Sequence, residues 1–262
     1  MKGSAMAGRV IILTGAVAVA ATFVFPDATL VLAHKAGYAV CHQWPEHSFA
    51  IAGMVFPMCA RCTGMYTGAL AALAFIWAAR RGKAGDWPPK TALVILGIGF
   101  GLMAADGINS FADALSGGTV HLYPPSNALR FVTGWFNGLA IVSIGYPLLC
   151  YLLWNNWEGR PVLNSAKEVL ALGATAFAAL LLVQNVSALA PVFWLLGLVG
   201  ILLLFTGINM ALWVILTRKE RRANHLREAL PAIAAGICMA LVELMAIGLS
   251  RAALLGILQR PT

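Results

Sequence analysis

Charge is what this sequence has least of. Of 262 residues, 18 are Lys or Arg and 10 are Asp or Glu, together 11%, where soluble domains carry about a quarter. With 60% hydrophobic residues and a mean hydropathy of +0.82, the chain holds more apolar surface than water tolerates, so an ordinary soluble domain is excluded. Short segments of alternating polarity, the mark of a membrane β-barrel, are also missing. The apolar residues come instead in continuous runs, long enough to cross about 30 Å of hydrocarbon as helices. There is no Gly/Ser linker, low-complexity tract or fixed-period repeat. Residues 1–262 therefore read as a single transmembrane domain, with its motifs over 38–138 and closing helices over 168–250. The net charge of +8 comes without a basic stripe interleaved with aromatics, so nucleic acid is not an expected partner. Membrane lipids are.

The expected fold is all-α, a polytopic transmembrane helical bundle of about seven spans, near 9–25, 63–79, 91–106, 128–153, 168–189, 192–217 and 230–250. Pro191 leaves almost no loop between the fifth and sixth, which predicts a tight helical hairpin. Placing the N-terminus inside puts Lys2, Arg9, Arg80, Arg81, Lys83, Lys90, Arg160, Lys167, Arg218, Lys219, Arg221, Arg222 and Arg227 on the inner side. That is 13 of the 18 basic residues, a positive-inside distribution. The motif-bearing loops are then expected on the outer face of the membrane. Lys2 and Arg9 before an apolar stretch, with Val31-Leu32-Ala33 beyond, also resemble a signal peptide; an uncleaved first helix is the preferred reading.

Cysteine is scarce, five in all, yet Cys41, Cys59 and Cys62 fall within 22 residues, beside His42 and His47. Three readings stand. Cys41, His42, Cys59 and Cys62 match the donors of a four-coordinate site that suits zinc. Alternatively, Cys59-Ala-Arg-Cys62 at a helix start, with Arg61 between the thiols, suits a thiol–disulfide oxidoreductase. That enzyme would pass electrons to a quinone, with Arg61 or Arg130 beside the quinone oxygen. The third reading is a single disulfide stapling the outer loop. A c-type haem is excluded, because Thr63 stands where its His is required. Cys150 and Cys238 read as apolar packing residues.

Other polar groups gather toward the same side. Asn127, Arg130 and Thr133 recur every three residues and share a broad helix face. Arg130 offers a bidentate fork for carboxylate or phosphate, and Asp106, ending the third span, is placed to pair with it. Glu243, about 13 residues into the last span, is costly unless paired or facing a cavity. Asn209 reads as an interhelical hydrogen bond. If all four Cys/His donors bind, chemistry falls to Asp106, His47 or Glu243; if three bind, an open position is left for water.

"CHQWPEHSF", "CARCTGMYTG", "DGINS" and "SNALRFVTGWFNG" occur in order over about residues 38–138. They resemble domain-of-unknown-function family 2085, predicted prokaryotic membrane proteins. The resemblance carries over to Cys41, His42, Gln43, Pro45, Ser48, Phe49, Cys59, Arg61, Cys62, Thr63, Gly64, Tyr66, Gly68, Asp106, Gly107, Asn127, Arg130, Thr133 and Gly134. His47 departs from it, standing where the family has Arg. The resemblance implies a membrane protein with an outer-face site and supplies no reaction. Three functions follow as expectations: a metal-dependent protein acting on a lipid-linked or anionic substrate, the quinone-linked oxidoreductase, and a non-catalytic accessory or assembly subunit of a larger membrane complex.

Overall fold

The computed structural model describes residues 17–51 and 53–258. Helices dominate: α1 (Val17–Val24), α2 (Pro26–Val40), α3 (Ala60–Ala78), α4 (Lys90–Leu115), α5 (Asn127–Leu153), α6 (Ala166–Asn185), α7 (Ala190–Leu216) and α8 (Leu226–Leu258). Five of them are long and apolar enough to cross a membrane, or six if α1 and α2 form one span bent by 106°. The bend falls at Pro26, which lacks an N–H and keeps the preceding residue out of helical conformation. The chain is an all-α polytopic bundle. Of the expected first span, 9–25, residues 9–16 lie outside the described residues and the remainder falls on α1. The expected second span is α3, which is not one of the five; it carries Arg61, Thr63 and Thr67 and has its threonines, glycines and Tyr66 buried by other helices.

The tightest packing is between α3 and α5. Gly64 and Gly68 face the backbone of Phe131 and Trp135, and Gly134 and Gly138 face the backbone of Arg61 and Met65. A Cβ on any of the four would lie within 2.4 Å of a carbonyl oxygen of the other helix. This is a reciprocal small-xxx-small contact, which lets two membrane helices approach to backbone distance. It sets the N-terminal turn of α3 against that of α5.

At that end of the bundle lie the last turn of α2, the starts of α3 and α5, and the C-terminal part of α8. Arg251 of α8 donates to the carbonyls of Tyr38 (2.6 Å), Cys41 (2.5 Å) and His42 (3.2 Å). At the other end Arg81 forms a bidentate pair with Glu168 (2.7 and 2.8 Å). There β1 (Ala84–Asp86) pairs in parallel with β2 (Glu158–Pro161). Lys83 joins Asn156 and Asn224.

Two boundaries differ from expectation. The segment after residue 25, read as loop, forms α2; Pro26 at its first position and Asp27 in its first turn are ordinary helix-start residues. The loop expected from residue 107 begins only after Leu115, because α4 continues two turns further. Its polar residues Asp106, Asn109, Ser110 and Asp113 recur with helical spacing, and the first three turn into the bundle.

Candidate metal centre

The Cys41-His42-Gln43 segment leaves α2 and turns sharply. Gln43 takes φ 58°, a left-handed conformation uncommon outside glycine. Its side-chain amide holds the turn, donating to the carbonyls of His34 (2.9 Å) and Pro57 (2.6 Å). In this conformation the Gln43 N–H points at the Cys41 sulfur, 3.4 Å away. The Cys59 N–H donates to the same sulfur at 3.3 Å, and the Cys62 N–H donates to the Cys59 sulfur at 3.4 Å, capping α3.

The sulfurs of Cys41, Cys59 and Cys62 all lie within 4.8 Å of one another, and all five cysteines are free thiols. Zn–S bonds of about 2.3 Å at tetrahedral angles place sulfurs about 3.8 Å apart, so the spacing fits a metal ion, and the soft donors suit zinc. A disulfide engages two sulfurs and gives no reason for the third to converge. Hydrogen bonds from the Cys59 and Cys62 side chains pull the Cys41 thiol down, and the same contact pushes Cys59 up.

His42 does not join the sulfurs. Its Nε2 shares a hydrogen bond with Nδ1 of His47 at 2.9 Å, and its ring packs edge-on against Trp44 and His47. Burial lowers His47 to about 4, with Arg130 adding to the effect. His42 is lowered by burial too, against the opposing charge of Cys41. Both rings are neutral at pH 7.

Arg61, between the two α3 cysteines, pairs with Asp106 through Nη2, rather than leaving Asp106 to Arg130. Asp106 is 1% exposed and also accepts from the Tyr123 hydroxyl at 3.2 Å. Arg130, 4% exposed, donates to Asn127 Oδ1 (2.9 Å) and to Ser110 Oγ (3.4 Å), which Arg61 also reaches (3.4 Å). Asn127 Nδ2 binds the carbonyls of Glu46 (3.2 Å) and Ser48 (3.0 Å), pinning the histidine loop to α5. The Nε atoms of Arg61 and Arg130 are buried without a hydrogen-bond partner among the described residues. Two guanidiniums thus face one carboxylate, an excess of one positive charge. Three thiolates around a divalent ion carry one negative charge, so the two clusters balance when a metal is held.

Glu243 lies elsewhere. It accepts from Asn209 Nδ2 at 2.7 Å on the outward side of α7 and α8. The residues that sequence reasoning missed are Ser110, Tyr123 and Arg251. The first belongs to a polar stripe, 106, 109, 110 and 113, whose period was there to be read; Arg251 gives no local signal.

A family model described as a predicted membrane protein, DUF2085, matches residues 41–144, which include every group of the cysteine and arginine clusters except Arg251. The chain is similar to an uncharacterized protein, MJ1492, of Methanocaldococcus jannaschii, with 30% identity over 119 residues, 45% of this chain and 69% of that protein. A second uncharacterized protein, of Methanothermobacter thermautotrophicus, is 53% identical over 30 residues, 12% of this chain and 27% of its own length. No solved structure matches. The motif blocks, their order and these matches agree, and the chain belongs to the DUF2085 family of predicted membrane proteins.

Proposed function

We propose that this membrane protein holds one zinc ion on Cys41, Cys59 and Cys62, with the fourth position open to water or substrate, and that the adjoining arginines receive an anionic or lipid-linked substrate. The convergence of three sulfurs within 4.8 Å carries the reading. Zinc bound this way supplies Lewis acidity. The chain's own groups do the rest. Asp106 fixes Arg61, Asn127 and Ser110 orient Arg130, and the free Nε–H groups of both arginines are donors for an anionic oxygen. The neutral His42–His47 pair is placed to take up a proton.

The site opens to the non-cytosolic side in this reading. Among the described residues, Lys35, Arg61, Arg130 and Arg251 are assigned to the cysteine side, and eleven basic residues, Arg80 through Arg227 apart from Arg130, to the other. Elemental analysis of the purified full-length protein tests the proposal. One zinc per chain is expected, lost in Cys41→Ser and Cys59→Ser and kept in Cys238→Ser; a metal-free wild type contradicts it.

The Cys59 sulfur accepts the Cys62 N–H at the N-terminus of α3, a helix-start setting that suits thiol chemistry, and this favours a second reading. Two thiols would close to a disulfide, and their two electrons and two protons would reduce a quinone to a quinol. Differential alkylation in native membranes separates the two: a Cys59 disulfide that forms and exchanges supports the oxidoreductase, whereas permanent thiols released only by a chelator support the metal.

A further inference from the structure

We propose that the outward groove between α7 and α8 around Glu243 seats a transmembrane helix of a different protein, one that presents a cationic or N–H-bearing side chain to the carboxylate. This inference stands independently of the metal site. The groove has a volume of about 480 Å³ and is lined by Asn209, Leu212, Cys238, Met239, Val242 and Glu243. Its walls are apolar; at its base the buried Asn209 amide is hydrogen-bonded to the exposed Glu243 carboxylate.

The hydrogen-bond inventory selects the occupant. Asn209 spends both N–H groups, one on the Phe205 carbonyl (3.0 Å) and one on Glu243 Oε2 (2.7 Å). Among the described residues Asn209 is the sole hydrogen-bond partner of Glu243. With Glu243 ionised, what remains, Glu243 Oε1 and Asn209 Oδ1, are acceptors. The occupant therefore brings the donor, and by charge complementarity a cation or an amide serves best. Depth selects its source. Asn209 lies seven residues from the end of α7 at Leu216 and Glu243 seventeen from the start of α8 at Leu226, about 10 Å and 25 Å along their helices at 1.5 Å per residue, so both lie below the interface. A lipid headgroup stays at the interface, whereas a side chain on a spanning helix reaches this level. A second copy of the chain fits poorly: the lining offers no free donor beyond the Cys238 thiol, so two such faces bring carboxylate against carboxylate.

The test uses full-length protein in phosphatidylcholine vesicles and a dansyl-labelled, leucine-rich transmembrane peptide of about 20 residues, carrying one lysine about two turns from its end. Tryptophan-to-dansyl energy transfer reads association, with the all-leucine peptide as reference. The lysine peptide is expected to bind about tenfold more tightly. Glu243→Leu should erase that difference, and so should Val242→Trp, which fills the groove and leaves the carboxylate in place. Equal binding of the two peptides, or a difference that survives both substitutions, overturns the proposal. In native membranes, a photo-crosslinker at Leu212 should yield an adduct with a spanning helix of another protein bearing a basic or amide side chain, lost in Glu243→Leu. Adducts confined to lipid, to a second copy or to residues 1–16 of the same chain overturn it.

Discussion

Gly134→Ala is the most informative single perturbation of this bundle. The added methyl would sit 2.2 Å from the Arg61 carbonyl oxygen and 3.1 Å from the Met65 nitrogen. Ordinary contact begins at 3.4 Å, so the helices must part by about 1.2 Å in that direction (3.4 − 2.2). The obstacle is helix backbone, which cannot rotate aside as a side chain would. Overpacking of this kind costs about 1–3 kcal/mol, and a gap near 1 Å forfeits up to half the dispersion energy of neighbouring contacts. The displaced segment of α3 is the one carrying Cys59, Arg61 and Cys62, so the proposed metal site should loosen with the fold. Gly97→Ala on α4 is the control: nothing lies within 4 Å of its Cβ position, and alanine improves helix propensity by up to about 1 kcal/mol. Thermal unfolding of the purified proteins in one detergent reads stability, and zinc retention against a chelator reads the site. Gly134→Ala should unfold earlier and release zinc faster, with Gly97→Ala unchanged or slightly more stable. Equal behaviour of the two variants would refute the claim that the α3–α5 approach positions the cysteines.

Asp106→Asn should leave two guanidiniums, the buried Arg130 and the half-buried Arg61, without a carboxylate. Removing one partner of a buried pair costs about 3–5 kcal/mol, toward the lower figure here because the Arg61 side chain keeps 22% exposure; thermal unfolding checks it. His47 has a folded-state pKa of about 4, below the ordinary 6.5. The unfolded chain therefore binds more protons between these values, and the contribution present above about 6.5 is lost as pH falls toward 4. The midpoint temperature of His47→Gln should depend less on pH over that window than the wild type's. Arg251→Met removes three donors to the carbonyls around Cys41. Such support for a metal ligand typically alters affinity about 10–100-fold, which competition with a zinc indicator would show.

Much of the bundle was legible because lipid imposes continuous apolar runs. The starts of α3, α5, α6 and α7 fall within three residues of the expected ones. α2 and the end of α4 were misread for the same reason: polar residues near a membrane surface look like loop, whether they face water or the bundle. The cysteine triad was legible from spacing, since a C-x-x-C on one helical turn brings two thiols together and needs only one more. The place of His42 was not, because it depends on the backbone reversal at Gln43, a φ that no residue type announces. Nor was the choice of Asp106 between two arginines, which depends on the phase of α4 against α3. The glycines at 64, 68, 134 and 138 were in plain view; the reciprocal contact between them appears only once the two helices are known to be neighbours.

The central claim is that three sulfurs and one open position hold a metal. X-ray absorption at the zinc edge on the purified full-length protein tests this most directly. The structure predicts three sulfur neighbours at about 2.3 Å and one lighter oxygen or nitrogen. A spectrum without zinc–sulfur scattering, or a protein that carries no zinc, contradicts it.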